Sequence, residues 1–318
     1  MTLDLVTLGE SMVLLLAEQS GPMREATTFR RYIAGAESNV ATGLTRLGHR
    51  AGWFSRVGAD EFGRAIVFRI RGEGVDTSHV RIDSGAPTGI VIRERRDVGP
   101  IEQVYYRRGS AASRLTPDDL DEAYIKEAQF LHRTGITPAL SASCRETVFA
   151  AADIARAAGT TVVLDPNYRS KLWSAETFRE VVRDLARRCD IVMPGQDEAE
   201  LLTGETDPRR AAENLRALGP ATVVVKIGAQ GALALVGDTE TRAPAYRLDR
   251  IVDPVGAGDA FAAGYFAGLL RGFSTEASLA LANRCGAIAM TAPGDMESLP
   301  FWEELTLNDG SSSADVRR

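Results

Sequence analysis

Lysine, cysteine and histidine are scarce in this chain, with only three of each in 318 residues. The cysteines, Cys144, Cys189 and Cys285, lie far apart and form no CxxC pair. No disulfide or metal staple is expected, and such usage suits a reducing cytoplasm. No apolar run reaches the ~18 residues of a membrane span. Asp4 and the Gly9-Glu10 pair interrupt the N-terminal apolar stretch, which therefore does not read as a signal peptide. Excess positive charge is missing too: 37 Lys+Arg against 43 Asp+Glu leave a net charge of −6. A chain repelled by phosphate lacks the basic stripe of a nucleic-acid binder. Both common nucleotide loops are absent. No GxxxxGK[ST] occurs, and the first strand runs into Gly9-Glu10-Ser11 where a dinucleotide fold carries GxGxxG.

What is present is an ordinary globular balance, 44% hydrophobic and 25% charged. Short apolar runs at residues 5–8, 51–57, 130–133, 162–164, 191–193 and 223–227 read as buried strands. Amphipathic stretches at 62–73, 143–158, 175–188 and 208–218 read as helices between them. This alternation predicts an α/β fold, a mostly parallel sheet sandwiched by helices. Such sheets bind ligands beyond the carboxyl ends of their strands. Residues 89–95 and 103–108 break the pattern as two strands around the turn Arg96-Asp97-Val98-Gly99-Pro100. A hairpin projecting from an α/β body suits a lid or a dimer contact. One domain over residues 1–308 is expected, with lid strands near 88–108. Residues 309–318 read as a disordered tail.

The sharpest feature is Asp253-Pro254-Val255-Gly256-Ala257-Gly258-Asp259-Ala260-Phe261, between an apolar pair and a helix of small residues. Two glycines at a strand-to-helix turn allow close backbone approach, and the helix start offers free N–H groups to an anion. Asp259 puts a carboxylate into that anion site. Accepting a proton from an attacking hydroxyl would give it a task there. On local sequence alone, a helix cap at Asp259 is an equal alternative. The other feature is Gly35-Ala36-Glu37-Ser38-Asn39, followed by Leu47-Gly48 and Val57-Gly58-Ala59-Asp60-Glu61-Phe62-Gly63.

Together, in this order, the two segments resemble the paired signatures of the ribokinase-like (phosphofructokinase-B type) carbohydrate kinases. The resemblance runs from Gly9 to Trp302. It implies an α/β sandwich with a small β lid, ATP, Mg²⁺ and phosphorylation of a sugar hydroxyl. Asp259 then matches the catalytic base, with the helix start favouring its ionised form. Gly256, Ala257 and Gly258 match the anion hole. Lys226, Gly228 and Gly231 match a phosphate-contacting segment, and Asn283 falls where the family lines the adenine pocket. Gly35 and Asn39 match sugar-binding positions. The family's NxxE metal motif is half present: Glu198 matches a role on Mg²⁺ through water, but Gly195 stands where Asn is expected. The resemblance leaves open a monovalent-cation requirement. It implies a homodimer or higher homo-oligomer formed through the lid.

Two further segments are similar to the 2-keto-3-deoxygluconate kinases of that family. One is Tyr105-Tyr106-Arg107-Arg108-Gly109-Ser110, and the other is Asp165-Pro166-Asn167-Tyr168-Arg169 with Leu172-Trp173. A guanidinium can hold a sugar acid's carboxylate in a bidentate fork. Alternation sends Tyr105 and Arg107 to one face, as substrate contacts. Arg169 follows a strand end, where it would meet substrate or a phosphate, and Asn167 would meet the nucleotide. Val91 stands where the subgroup often has a tyrosine, which keeps a neutral-sugar kinase (fructokinase or ribokinase) as an alternative. A non-catalytic binding regulator on the same fold is a second alternative.

Overall fold

The computed structural model describes residues 3–96, 99 and 101–307. The expected turn residues Asp97, Val98 and Pro100, and the expected tail over 309–318, lie outside the described residues. The chain begins with β1 (Leu5–Leu8), β2 (Met12–Ser20), β3 (Phe29–Ala34), α1 (Ala36–Arg46), β4 (Ala51–Gly58), α2 (Glu61–Gly72) and β5 (Val80–Asp83). A hairpin of β6 (Ile90–Arg95) and β7 (Gln103–Tyr106) follows. Then come α3 (Glu122–Lys126), β8 (Phe130–Thr134), α4 (Ala142–Ala158), β9 (Thr161–Asp165), α5 (Ala175–Ala186), β10 (Ile191–Val192), α6 (Gln196–Thr203) and α7 (Pro208–Arg216). The last part is β11 (Thr222–Lys226), β12 (Ala232–Val236), β13 (Thr239–Ala243), α8 (Ala257–Leu270), α9 (Thr275–Ala289) and α10 (Trp302–Leu307).

The main sheet has nine strands in the order β13-β12-β11-β10-β9-β8-β1-β4-β5. It is parallel from β5 to β11 and antiparallel at the β11-β12-β13 edge. Successive strand residues feed two different cores, as a pleated sheet covered on both faces requires. Val224 and Ala234 point to the α1, α2, α8 and α9 side, while Val223, Val225, Leu233 and Leu235 meet α4, α5, α6 and α7. All three cysteines are buried, Cys189 and Cys285 in these cores, and burial pushes the thiol of Cys144 up to about 11 and that of Cys285 up to about 12. Among the described residues, no helix is long and apolar enough to cross a membrane.

A second sheet of four strands, ordered β3-β2-β6-β7, covers one end of the first. The hairpin expected near 88–108 supplies half of it. Strands β2 and β3 supply the rest and were not foreseen. Both faces of β2 are apolar: Met12 and Leu14 join a small cluster with Ala34 and Val91, while Val13 faces the main core. That double burial erases the period-two signal that marks a half-exposed strand.

Candidate active site

A cleft of about 670 Å³ lies between the four-stranded sheet and the carboxyl ends of the main-sheet strands. Val91, Arg93, Tyr105 and Arg107 line it from the small sheet, and Asp165 and Lys226 from the ends of β9 and β11. Gly256, Gly258 and Asp259 line it from the start of α8.

Gly256 is the N-cap of α8, with φ of +81°. A Cβ there would sit 2.5 Å from the Asp295 carbonyl oxygen, so this turn admits only glycine. Lacking a side chain, Gly256 caps nothing, and the first amides of α8 have no side-chain acceptor. They and the positive helix end face the cleft. Lys226 Nζ approaches the same turn, 3.8 Å from where a Gly258 Cβ would stand.

Asp259 is the third residue of α8 and not its cap. Its Oδ2 accepts a hydrogen bond from Asn39 Nδ2 at 2.8 Å, and that same amide lies 3.4 Å from Asp295 Oδ2. Burial pushes the Asp259 carboxyl up to about 8; Asn39 and Arg169 oppose the shift, and Asp295 and Asp165 add to it. The expectation that the helix start holds Asp259 ionised is therefore corrected. Removal of the carboxylate from water outweighs the helix end.

Beside the turn at the start of α8 lies an ion pair, Lys226 Nζ to Asp165 Oδ2 at 2.6 Å, with Glu198 next to it. Burial works to lower the Lys226 ammonium, but the carboxylates of Asp165 and Glu198 raise it further, so it stays charged. Burial and Asp165 raise Glu198. Glu198 reaches back from the first turn of α6 to accept the Gly195 amide at 2.8 Å, and its other oxygen accepts the Tyr168 amide at 2.7 Å. A Cβ on Gly195 would lie 3.6 Å from Glu198 Oε2, an ordinary contact, so a close approach at the first side-chain carbon does not require glycine here.

At the small-sheet end, Arg107 is nearly buried and held by Glu10: Nε donates to Oε2 at 2.6 Å, and Nη2 lies 2.5 Å from the same oxygen. Ser110 Oγ donates to the other Glu10 oxygen at 2.5 Å. Tyr105 sits below the guanidinium, 5.6 Å from ring centroid to Cζ. The alternation expected along this segment holds, with Tyr106 and Arg108 exposed.

The profile of the pfkB family carbohydrate kinases matches residues 2–302. The chain belongs to that family. The 2-dehydro-3-deoxygluconokinase of Bacillus subtilis is 43% identical over 96% of this chain and 95% of its own length. The enzyme of the same name from Thermoproteus tenax is 40% identical over 94% of this chain and 91% of its own. Among solved structures, a putative ribokinase II of E. coli in complex with ATP and Mg²⁺ superposes with a TM-score of 0.89 at 29% identity, covering 96% of this chain and 98% of that one.

With the family fixed, the residues singled out in the sequence can be placed one by one. Gly35, Asn167, Arg169, Gly195, Glu198 and Gly228 all line the cleft. Gly35 has no room for a side chain, since a Cβ would stand 2.6 Å from the Glu10 carbonyl oxygen. Asn167 takes a left-handed conformation, φ of 42°, at the mouth of β9. Three candidates are placed elsewhere. Asn39 lies behind Asp259, with its amide spent on that carboxylate, so it orients the acid and does not line the cleft. Asn283 donates to the carbonyls of Ala243 and Pro244, at 3.1 and 2.9 Å. Gly231, with φ of +93°, is pressed against the same segment, 2.1 Å from its Cβ position to the Ala243 oxygen. Both therefore shape the chain after β13 and do not border the cleft.

Among the cleft residues given no role in the sequence reading are Arg93, Asp165 and Asp295. Asp295 follows Pro293-Gly294, and one carboxylate in a loop carries no periodic signal. Asp165 was visible inside Asp165-Pro166-Asn167-Tyr168-Arg169, but only as part of a resemblance.

Proposed function

We propose that this chain is an ATP-dependent kinase that phosphorylates the primary hydroxyl of 2-keto-3-deoxygluconate (2-dehydro-3-deoxygluconate) to give the 6-phosphate. The observation that carries this reading is the pairing of two unlike ends in one cleft. One end has a buried carboxylate at an uncapped helix start. The other has an arginine, Arg107, anchored by Glu10. The relatives at 43% and 40% identity bear the corresponding name.

The chemistry follows from the positions. The sugar hydroxyl attacks the γ-phosphorus of ATP in line; the O–P bond forms as the bond to the β-bridging oxygen breaks. In its ionised form, Asp259 accepts the hydroxyl proton. A base poised near the working pH is suited to take that proton late in a loose transition state. The amides of Ala257 and Gly258 and the Lys226 ammonium meet the charge on the transferred group. Arg107, with two donor nitrogens turned to Glu10, keeps Nη1 for the substrate carboxylate. Asn39 and Asp295 orient Asp259.

The residues present fit a magnesium ion held through water. Asp165 Oδ1 is buried without a hydrogen-bond partner, and Glu198 faces the same wall. Among the described residues no group of three metal-ligating side chains occurs. That suits an ion that keeps most of its waters and takes phosphate oxygens. When bound, Mg²⁺ would neutralise phosphate charge. The reading includes a homodimer in the cytoplasm, paired through the outer lid strand β7, where Val104 and Tyr106 are exposed; sedimentation velocity tests the dimer.

A coupled ADP-release assay across 2-keto-3-deoxygluconate, its C4 epimer, fructose and ribose tests the substrate. Preference for the acids by at least tenfold in kcat/KM supports it. Equal rates with fructose overturn it. An absence of sugar-dependent ADP release would leave only a binding regulator.

A further inference from the structure

Arg93 sits on β6, an inner strand of the lid, two residues from Val91 and on the same cleft-facing side. Its side chain is only 3% exposed and pairs with Asp253, itself 9% exposed, at the head of the Asp253–Asp259 segment. Arg93 Nη2 bonds Asp253 Oδ2, and Nη1 lies 3.4 Å from Oδ1. The same carboxylate accepts the Val255 amide at 3.2 Å and the Gly294 amide at 3.4 Å. Those two amides flank the close approach of Gly256 to the Asp295 carbonyl. One guanidinium on the lid therefore holds the carboxylate that braces both sides of the turn at the start of α8.

A buried ion pair is a poor device for stability alone. Taking two charges out of water costs about as much as their attraction returns, and an apolar pair of similar volume serves as well. What a charged fork adds is geometry: it fixes two planar groups to one another. Here the groups belong to the element that covers the sugar and to the loop that receives the phosphoryl group.

We infer that Arg93 is a positioning residue that couples the seating of the lid to the shape of the phosphoryl-binding turn through Asp253. The inference rests on the kinase reading above and adds a path between the two ends of its cleft. It predicts that loss of Arg93 loosens a loop on the other side of the site.

Hydrogen–deuterium exchange on the full chain, without ligands, reads that effect directly. In Arg93→Met, the amides of Val255 and Gly294, which Asp253 holds, should exchange roughly tenfold faster or more, while β1 and β8 keep their protection. Arg93→Lys retains the charge without the fork and should fall between the two. Unchanged exchange at Val255 and Gly294 in both variants would overturn the coupling. If Arg93→Met does not fold, Arg93→Lys and Asp253→Asn carry the test alone. Kinetics give the second arm. Arg93→Met and Asp253→Asn should each lower kcat roughly tenfold or more with little change in KM for the sugar acid, and the double variant should be no worse than the poorer single. A raised KM at unchanged kcat would make Arg93 a direct sugar contact, and additive losses would make the two residues independent. Either result overturns the inference. Failure of the kinase reading shows differently, as absent ADP release in the unmodified protein with the exchange result untouched.

Discussion

Asn39 Nδ2 donates to Asp259 Oδ2 across 2.8 Å, joining residues 220 positions apart in the chain. The bond links α1, which begins where β3 leaves the lid, to the helix that starts at the anion turn. Its two amide hydrogens are turned to Asp259 and toward Asp295, so Asn39 fixes the orientation of the Asp259 carboxylate.

Replacing Asp259 by Asn keeps the shape and removes the proton acceptor. Turnover should fall by about 10²–10⁴-fold, the usual worth of a positioned base. ATP binding, followed by calorimetry, should change little. A kcat close to that of the unmodified protein would show that Asp259 is not the base.

The same substitution has a pH signature in stability. Burial lifts Asp259 from an ordinary 3.8 in the unfolded chain to about 8 in the folded one. Between those values the folded state holds a proton that the unfolded state has released. This group's contribution is thus fully present below the lower value and is lost as pH rises through the upper one, with a slope of at most about 1.4 kcal/mol per pH unit. Asp259→Asn should therefore stabilise the ligand-free protein increasingly from pH 5 to pH 8, read as the difference in melting temperature between the two proteins. A difference that is flat, or that shrinks with pH, contradicts the burial of an uncharged acid.

Glu10 anchors Arg107, and its removal should speak through substrate choice. Arg107→Ala should raise KM for the sugar acid far more than for fructose. Glu10→Gln leaves a neutral partner of the same shape, and KM for the acid should rise roughly tenfold with kcat changed less. Equal effects on acid and neutral sugars would remove both residues from carboxylate recognition.

Lys226→Ala leaves Asp165 and Glu198 facing each other without their cation. Weakened binding of ATP, by roughly tenfold or more, and a lower melting temperature are both expected, because an abandoned buried charge is costly. Unaltered ATP affinity in a titration would exclude a phosphate contact.

The inner strands of the main sheet were legible because most are short apolar runs separated by amphipathic helices, while the edge strands β5 and β13, rich in polar residues, were not foreseen. Runs such as Val223–Ile227 can be little else. The lid was legible only where it is half exposed, in β6 and β7. Strand β2 hides in an apolar run because both its faces are covered. Asp259 and its glycines stood out because two glycines and a carboxylate open one helix. Arg107 was legible as a cation on the correct face, but its anchor Glu10 lies 97 positions away. Asn39 and Asn283 carried a family pattern, and what each does here depends on long-range partners that no local spacing encodes.

The burial of all three cysteines gives this protein a practical property. Thiols held in the protonated form inside a core react slowly with maleimides and iodoacetamide. A cysteine placed at Arg31, exposed on β3 at the other edge of the lid sheet, would therefore take a fluorophore while the native three stay silent. The lid can be given a reporter dye without first building a cysteine-free background.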